Sequence, residues 1–478
     1  MLFNSINFAI FLPIVFVLYW FATNKNLRFQ NILLLVSSYF FYASWDYRFL
    51  FLLIFSTSLD YYTGLKMFES KSAKTKKTWF WLSVCINLGF LGIFKYYNFF
   101  AAQFVESLSL IGIKASLTTI NVILPVGISF YTFHGLSYVI DIYKNRIKPE
   151  RNFIDYAVFV SFFPLLVAGP IERATHLLPQ ILRKRDFDIS KAVDGSRQIL
   201  WGLFKKIVIA DNCATYANQI FNNASDFSGS THVVGALFFT FQIYCDFSGY
   251  SDIAIGTAKL FGIELLRNFA FPYFSRDIAE FWRRWHISLS SWFRDYLYIP
   301  LGGSKGPTWS KVRNIFIIFL VSGFWHGANW TFIFWGALNA IYFLPLLLLK
   351  SNRNNIETVA QGKYLPDIKE TFQMLITFCL TVFAWIFFRS SDMNHAFSFI
   401  SKICSFSLFS FPEIIPKTII LLIILFTIVE WFGREQQYAI AKIGLVSFKP
   451  IRWAIYLCII LSVFCFAGSE QQFIYFQF

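Results

Sequence analysis

Six histidines are spread over 478 residues, and two stand where an imidazole has chemistry open to it. His326 lies in the stretch 321–330 (VSGFWHGANW), inside an otherwise apolar run. A polar side chain at membrane depth is costly and faces protein or a water-filled cavity. Imidazole titrates near neutrality and can take a proton from a hydroxyl or a thiol. Gly323, Gly327 and Ala328 leave room beside it, for a slender substrate or for a neighbouring helix. Spacing alone allows either a catalytic base or a buried structural histidine. His286 lies in 280–292 (EFWRRWHISLSSW), with Arg283, Arg284 and Arg294 among Trp282, Trp285 and Trp292. Such a mixture suits an interfacial anchor. Composition alone favours that anchor; the functional reading is a docking site for an anionic ligand carrying an adenine ring, with Arg283 and Arg284 on phosphate and Trp285 available for stacking.

A third polar cluster, 244–252 (YCDFSGYSD), places Asp246 and Asp252 inside an apolar span. An intramembrane carboxylate is a functional-site candidate with a buried partner expected, and a structural ion pair with an arginine of 276–294 is at least as good a reading. His134 is a weaker candidate of the same kind. His176, His232 and His395 are assigned to loops without special roles. The seven cysteines form no Cys-x-x-Cys pair and no metal-like cluster, so free buried thiols are expected, with no metal site. The segment 473–478 (FIYFQF) closes the sequence with four aromatics, which gain by burial. They predict a tail, 469–478, docked at the outer face. Either it is a plain anchor, or it presents the Tyr475 hydroxyl to His326.

The elements that must position these groups follow from composition. Hydrophobic residues make up 56% of the chain and charged residues 14%, with 62 phenylalanines. Soluble domains carry about 25% charge. The reading is an all-α, polytopic transmembrane bundle of about 11–12 spans, a single membrane domain over 1–478. Spans are predicted near 6–22, 30–44, 47–65, 79–101, 122–143, 198–221, 233–261, 314–331, 332–349, 371–389, 417–432 and 453–468. The interrupted stretches 153–170 and 286–303 suit re-entrant elements shielded by protein. The segment 1–22 lacks a basic leader and a cleavage site, and is read as a retained helix. The net charge of +15 collects in alternate segments, including 66–78, 144–151, 173–206 and 434–452. That alternation is the positive-inside bias of a multi-pass inner-membrane protein. It argues against nucleic-acid binding.

With these motifs in view, the sequence resembles the membrane-bound O-acyltransferase (MBOAT) family, and within it the membrane subunits of alginate and peptidoglycan O-acetyltransferases. The resemblance rests on 124–133 (LPVGISFYTF), 163–172 (FPLLVAGPIE), 244–252, 281–303 and 323–330, in one order along nearly the whole chain. It implies a helical core with a funnel or tunnel through the membrane. It also implies a catalytic histidine at His326 and a second at His286. Acetyl-CoA is implied as a cytoplasmic donor substrate rather than a tightly bound cofactor. An extracytoplasmic SGNH-type partner is implied to place the acetyl group on a glycan, with Tyr475 as the acceptor in a terminal aromatic motif. A D-alanyl or lipid acyltransferase of the same family is the first alternative. A polytopic transporter or flippase is the second. It explains buried carboxylates and broken helices but not the shared motifs.

Overall fold

The computed structural model describes residues 1–114, 116–117, 119–120, 124–167, 169–445, 448–468 and 471–474. Tyr475 lies outside the described residues. All regular structure among them is helical. The chain divides into two compact units, residues 1–193 with 257–266, and residues 194–256 with 267–478.

In the first unit the helices are α1 (Ile6–Val17), α2 (Leu27–Ala43), α3 (Tyr47–Glu69), α4 (Ala73–Leu91), α5 (Tyr97–Leu110), α6 (Ile128–Tyr143), α7 (Phe153–Ser161), α8 (Phe163–Leu166) and α9 (Ala174–Ile181). The remainder are α10 (Ile189–Leu203), α11 (Asp211–Asn222), α12 (Gly229–Leu260), α13 (Ile278–Arg284), α14 (Ile287–Phe293), α15 (Thr308–His326), α16 (Trp330–Leu348), α17 (Ile368–Arg389), α18 (Met393–Ile403), α19 (Lys417–Gly433) and α20 (Lys449–Cys465). The predicted spans centre on helices, but α6 starts only at Ile128, and the span 314–331 leaves α15 at His326 and crosses the non-helical residues 327–329 into α16. Three stretches, Ala73–Leu110, Trp330–Leu348 and Ile368–Arg389, are long and apolar enough to cross a bilayer by length and composition. The stretch Ile6–Ala22 is a shorter apolar helix.

Polarity is arranged as a lipid solvent requires. Ile6, Ile10, Ile14, Val17 and Phe21 form an exposed apolar stripe along the first helix, and α20 exposes Ile451, Leu457, Leu461 and Phe464. Polar side chains are turned inward and bonded. Buried Asp60 on α3 accepts from Ser83 Oγ at 2.6 Å and Asn87 Nδ2 at 2.7 Å on α4. The expectation of buried thiols fails for Cys85, Cys379, Cys404, Cys458 and Cys465, which are exposed, whereas Cys213 and Cys245 are buried. Of the five exposed ones, Cys85, Cys379, Cys458 and Cys465 occupy outward positions on apolar helices, where a thiol is as acceptable as a methyl group.

In the first unit, Gly127 takes φ +74°, and a Cβ there would meet the Leu166 carbonyl oxygen at 2.1 Å. Only glycine allows α6 to start this close to α8. The Nε2 of His134 accepts the Glu172 backbone N–H at 3.1 Å. Glu172 Oε2 in turn bonds His176 Nδ1 at 2.8 Å. The carboxylate raises the His176 imidazole above its ordinary value. The three histidines assigned to loops in fact lie on helices, His176 on α9, His232 on α12 and His395 on α18.

Candidate active site

In the second unit two glycine pairs fix the first side of the site. Gly195 and Gly202 on α10 lie against Gly256 and Gly249 on α12. A Cβ at Gly202 would sit 2.6 Å from the Gly249 carbonyl oxygen, and one at Gly256 would sit 2.5 Å from that of Gly195. Small residues at matched spacing let helix backbones approach closely. The approach sets the π-helical turn Phe204–Ala210 beside the carboxylates of α12. Lys205 Nζ lies 2.5 Å from Asp252 Oδ2. Lys206 Nζ lies 2.7 Å from Asp246 Oδ1 and 2.7 Å from Asp211 Oδ1.

These contacts correct two expectations. The partners of Asp246 and Asp252 are lysines of the 198–221 span, not arginines of 276–294. Lys205 and Lys206 do not belong to a basic loop, because both are buried. Burial of an ammonium is tolerable only with a carboxylate beside it, and the glycine crossing supplies three. π-Helical turns inside α-helices frequently mark functional sites.

His326 ends α15 and is buried. Its ring faces Trp335 at 5.4 Å and Phe388 at 5.3 Å between centroids. The space left by the glycines is taken by α16. A Cβ at Gly323 would stand 2.2 Å from the Phe332 carbonyl oxygen, and one at Gly327 would stand 2.2 Å from the Phe332 ring. Asn329 caps α16 by accepting the Thr331 N–H at 3.1 Å. The neighbouring helix, rather than a substrate, therefore occupies the room beside these two glycines. Replacing Gly323 by valine forces α15 and α16 apart. The expected cost is at least about 1–3 kcal/mol, read as a lowered unfolding temperature in detergent, with Gly92→Val, which meets nothing within 4 Å, as the control.

His286 is buried as well and sits in the left-handed region at φ 42°. Its Nδ1 pairs with Asn268 Oδ1 at 2.9 Å. That oxygen also accepts from Ser288 Oγ at 2.9 Å, while Asn268 Nδ2 donates to Ser251 Oγ at 3.0 Å. The network orients the amide, so Nδ1 carries the hydrogen and Nε2 is the basic nitrogen. Asn268 has no sequence signal, standing in 267–270 (RNFA) without a motif. A continuous run of rings joins the two imidazoles, from His326 through Trp335, Trp385, Trp285 and Phe269 to His286, so both border one aromatic wall of the second unit.

The basic residues around His286 are already engaged. Arg284 pairs with buried Glu280 at 2.8 Å. Arg283 donates to the carbonyls of Asn352 at 2.8 Å and Asn355 at 2.7 Å while remaining exposed. Trp285 is buried against Trp385 at 5.0 Å, Phe269 at 5.1 Å and Phe281 at 5.5 Å. It is a wall of the histidine site and has no open face for an adenine ring, contrary to the stacking expectation. Beside Asn268 a small cavity of about 10 Å³ is lined by Lys205, Tyr244, Ser248, Asp252 and Glu430 among others.

Residues 143–388 match the model of the membrane-bound O-acyltransferase family. The chain belongs to that family. The matched MBOAT region contains both histidines and all the groups that orient them. A probable alginate O-acetylase of Pseudomonas aeruginosa is 37% identical over 446 residues, covering 92% of this chain and 82% of the relative. A peptidoglycan O-acetyltransferase of Helicobacter pylori is 37% identical over 425 residues, covering 83% and 78%. A teichoic acid D-alanyltransferase of Streptococcus thermophilus is 30% identical over 314 residues, covering 61% and 75%. As an MBOAT member the chain is an O-acyltransferase and a membrane protein.

Proposed function

We propose that this chain is the membrane subunit of a polysaccharide O-acetylation system. It takes acetyl from cytoplasmic acetyl-CoA and delivers it to an extracytoplasmic SGNH-type partner, which acetylates a cell-surface glycan such as alginate or peptidoglycan. The chain is then a multi-pass protein of the bacterial inner membrane, with about 11–12 spans around a funnel, and 153–170 and 286–303 as its re-entrant elements. One observation carries the reading: two buried histidines on one aromatic wall stand in a family-matched region, and relatives matched over most of their length are O-acetylases.

The chemistry follows from what must cross. Acetyl-CoA is large and charged, whereas only its acetyl group is needed outside. His326 takes the proton of an acceptor hydroxyl. The hydroxyl oxygen attacks the thioester carbonyl, the carbon–sulfur bond breaks, and the proton passes to the departing thiolate. An acetyl ester and free CoA thiol result. His286, held by Asn268, presents Nε2 to the same reaction. Tyr475 is the acceptor. What supports that role is the burial of the described tail residues Phe473 and Ile474 in the same unit as the histidines.

The donor docks at the mouth formed by Arg283 and Arg284, whose guanidiniums also frame the 352–357 backbone. Replacing both by alanine should weaken acetyl-CoA binding about tenfold or more, since charge-assisted bonds to phosphate are the strong ones. Turnover of the bound complex should change less. Calorimetry on purified protein measures this, and an unchanged affinity would remove the arginines from the donor site. Donor identity tests the function itself. Radiolabelled acetyl-CoA should label the purified chain, and a D-alanyl carrier-protein thioester should not. The opposite result assigns the chain to the D-alanyl branch, and a chain that neither hydrolyses nor transfers the acyl group of either donor is a transporter.

A further inference from the structure

The buried charges around Lys206 involve the tail. Lys206 serves two carboxylates, Asp211 and Asp246, each at 2.7 Å. One ammonium is thus shared between two acceptors, and the segment 471–474 adds a donor of its own. The Ile474 backbone N–H donates to Asp246 Oδ2 at 2.7 Å. Lys206 Nζ itself donates to the Gln471 carbonyl at 3.2 Å. Upstream, Asn212 Nδ2 donates to the Phe466 carbonyl at 3.1 Å, where α20 ends. The segment is therefore tied at Phe466, Gln471 and Ile474 to one face made by the π-helical turn, α11 and α12.

Aromatic packing alone would have buried this segment, because burial of apolar area is non-directional. Hydrogen bonds to buried charges add what packing does not, a fixed register. A buried carboxylate oxygen that loses its donor costs more than the bond it made. The tail therefore does not slide or lift without taking that donor away from Asp246. The register it fixes points at the histidines. Phe473 is 0% exposed and packs on Tyr250 at 4.4 Å and on Phe247 at 6.1 Å. Phe247 is the residue after Asp246, and its ring lies 4.6 Å from that of His286.

We infer that Asp246 and Lys206 form a clamp that locks the backbone of 471–474 in one register beside the histidine site. Both are positioning residues, acting on the reaction through the tail. The inference rests on the proposed role of Tyr475 as acceptor. It adds that the segment 471–474 leading to that acceptor is a fixed arm, so whatever collects the acetyl group comes to the tail.

Two measurements on the purified full-length protein separate the clamp from the relay. The first is hydrogen–deuterium exchange of the peptide containing 471–474. The second is incorporation of radiolabelled acetyl from acetyl-CoA into the same peptide. Asp246→Leu removes the acceptor of the Ile474 N–H and leaves the Lys206–Asp211 pair in place. Exchange should rise at least about 100-fold, as expected when a protected amide opens. Label should fall at least tenfold, with acetyl-CoA affinity unchanged. Asp246→Asn keeps an acceptor oxygen and should restore both protection and label to within threefold. Ile474→Pro deletes the same bond from the tail side without touching a buried charge, and should reproduce Asp246→Leu if that variant does not fold. Unchanged exchange in Asp246→Leu or Ile474→Pro overturns the clamp. Lost protection with full labelling overturns its positioning role. If wild-type tail is never labelled while exchange responds as described, the acceptor reading fails and the clamp stands as a docking device.

Discussion

Replacing His326 by alanine is expected to abolish acetyl transfer while the protein stays folded in the membrane. The fold survives because α15 and α16 are held by backbone approach at Gly323 and Gly336, whose Cβ positions lie 2.2 and 2.3 Å from the carbonyls of Phe332 and Phe319. That approach does not depend on the imidazole, whose ring packs on Trp335 and Phe388. Activity does not survive, because a hydroxyl is a poor nucleophile until its proton is removed. Loss of a positioned base costs about 10²–10⁴-fold in turnover. Acetyl-CoA binding should change little, since the proposed donor contacts lie at Arg283 and Arg284. The measurement is single-turnover acetyl transfer beside donor affinity, with the unfolding temperature as a check. Activity near wild type in a folded variant would make His326 a structural histidine closing the α15–α16 turn.

Much of this site is legible in the sequence, and the exceptions share a cause. His326 stands out because a titratable ring is costly in an apolar run. The glycines beside it signal close approach, though not of what, and the structure answers with α16. Asp246 and Asp252 announce buried partners. The partners themselves are misplaced by the sequence because Lys205 and Lys206 read as part of a basic loop. Charge along a chain carries no depth, and the shift that turns these lysines inward is a π-helical turn, a change in hydrogen-bond register with no residue signature of its own. Asn268 is invisible for a different reason. It acts through one amide oxygen across 18 residues of sequence to His286, and nothing local marks a residue whose work is to orient another. Arg283 looks available in the sequence because the carbonyls that hold it lie in a distant loop, whereas the partner of Arg284, Glu280, stands four residues earlier on the same helix. Trp285 misleads in the same way, since exposure of a ring depends on neighbours such as Trp385 that are distant in sequence.

The Tyr475→Phe variant is expected to stop delivery of acetyl to the partner while leaving acetyl-CoA binding intact. The substitution keeps the ring and removes only the hydroxyl, so any loss belongs to chemistry and not to docking. Docking should hold in any case, since the tail is fixed upstream by the bonds of Gln471 and Ile474 to Lys206 and Asp246. A phenol suits an intermediate carrier. Its pKa near about 10 makes phenolate a better leaving group than an alkoxide. An acetyl-tyrosine ester thus retains part of the activation of the thioester from which it was made. A serine of the partner can collect the group without a further input of energy. A direct route from acetyl-CoA to that serine would require the partner to reach His326 itself, and it would give Tyr475→Phe the wild-type rate. The expected loss is at least about 100-fold, the scale on which removing a covalent nucleophile acts when no neighbouring group replaces it. The decisive comparison uses label from acetyl-CoA, followed into the tail and into the partner in one experiment. Wild type should show label in the tail first and in the partner afterwards, and Tyr475→Phe in neither. Label reaching the partner at the normal rate in Tyr475→Phe would reduce the tyrosine to an anchor and leave His326 serving the partner's serine directly.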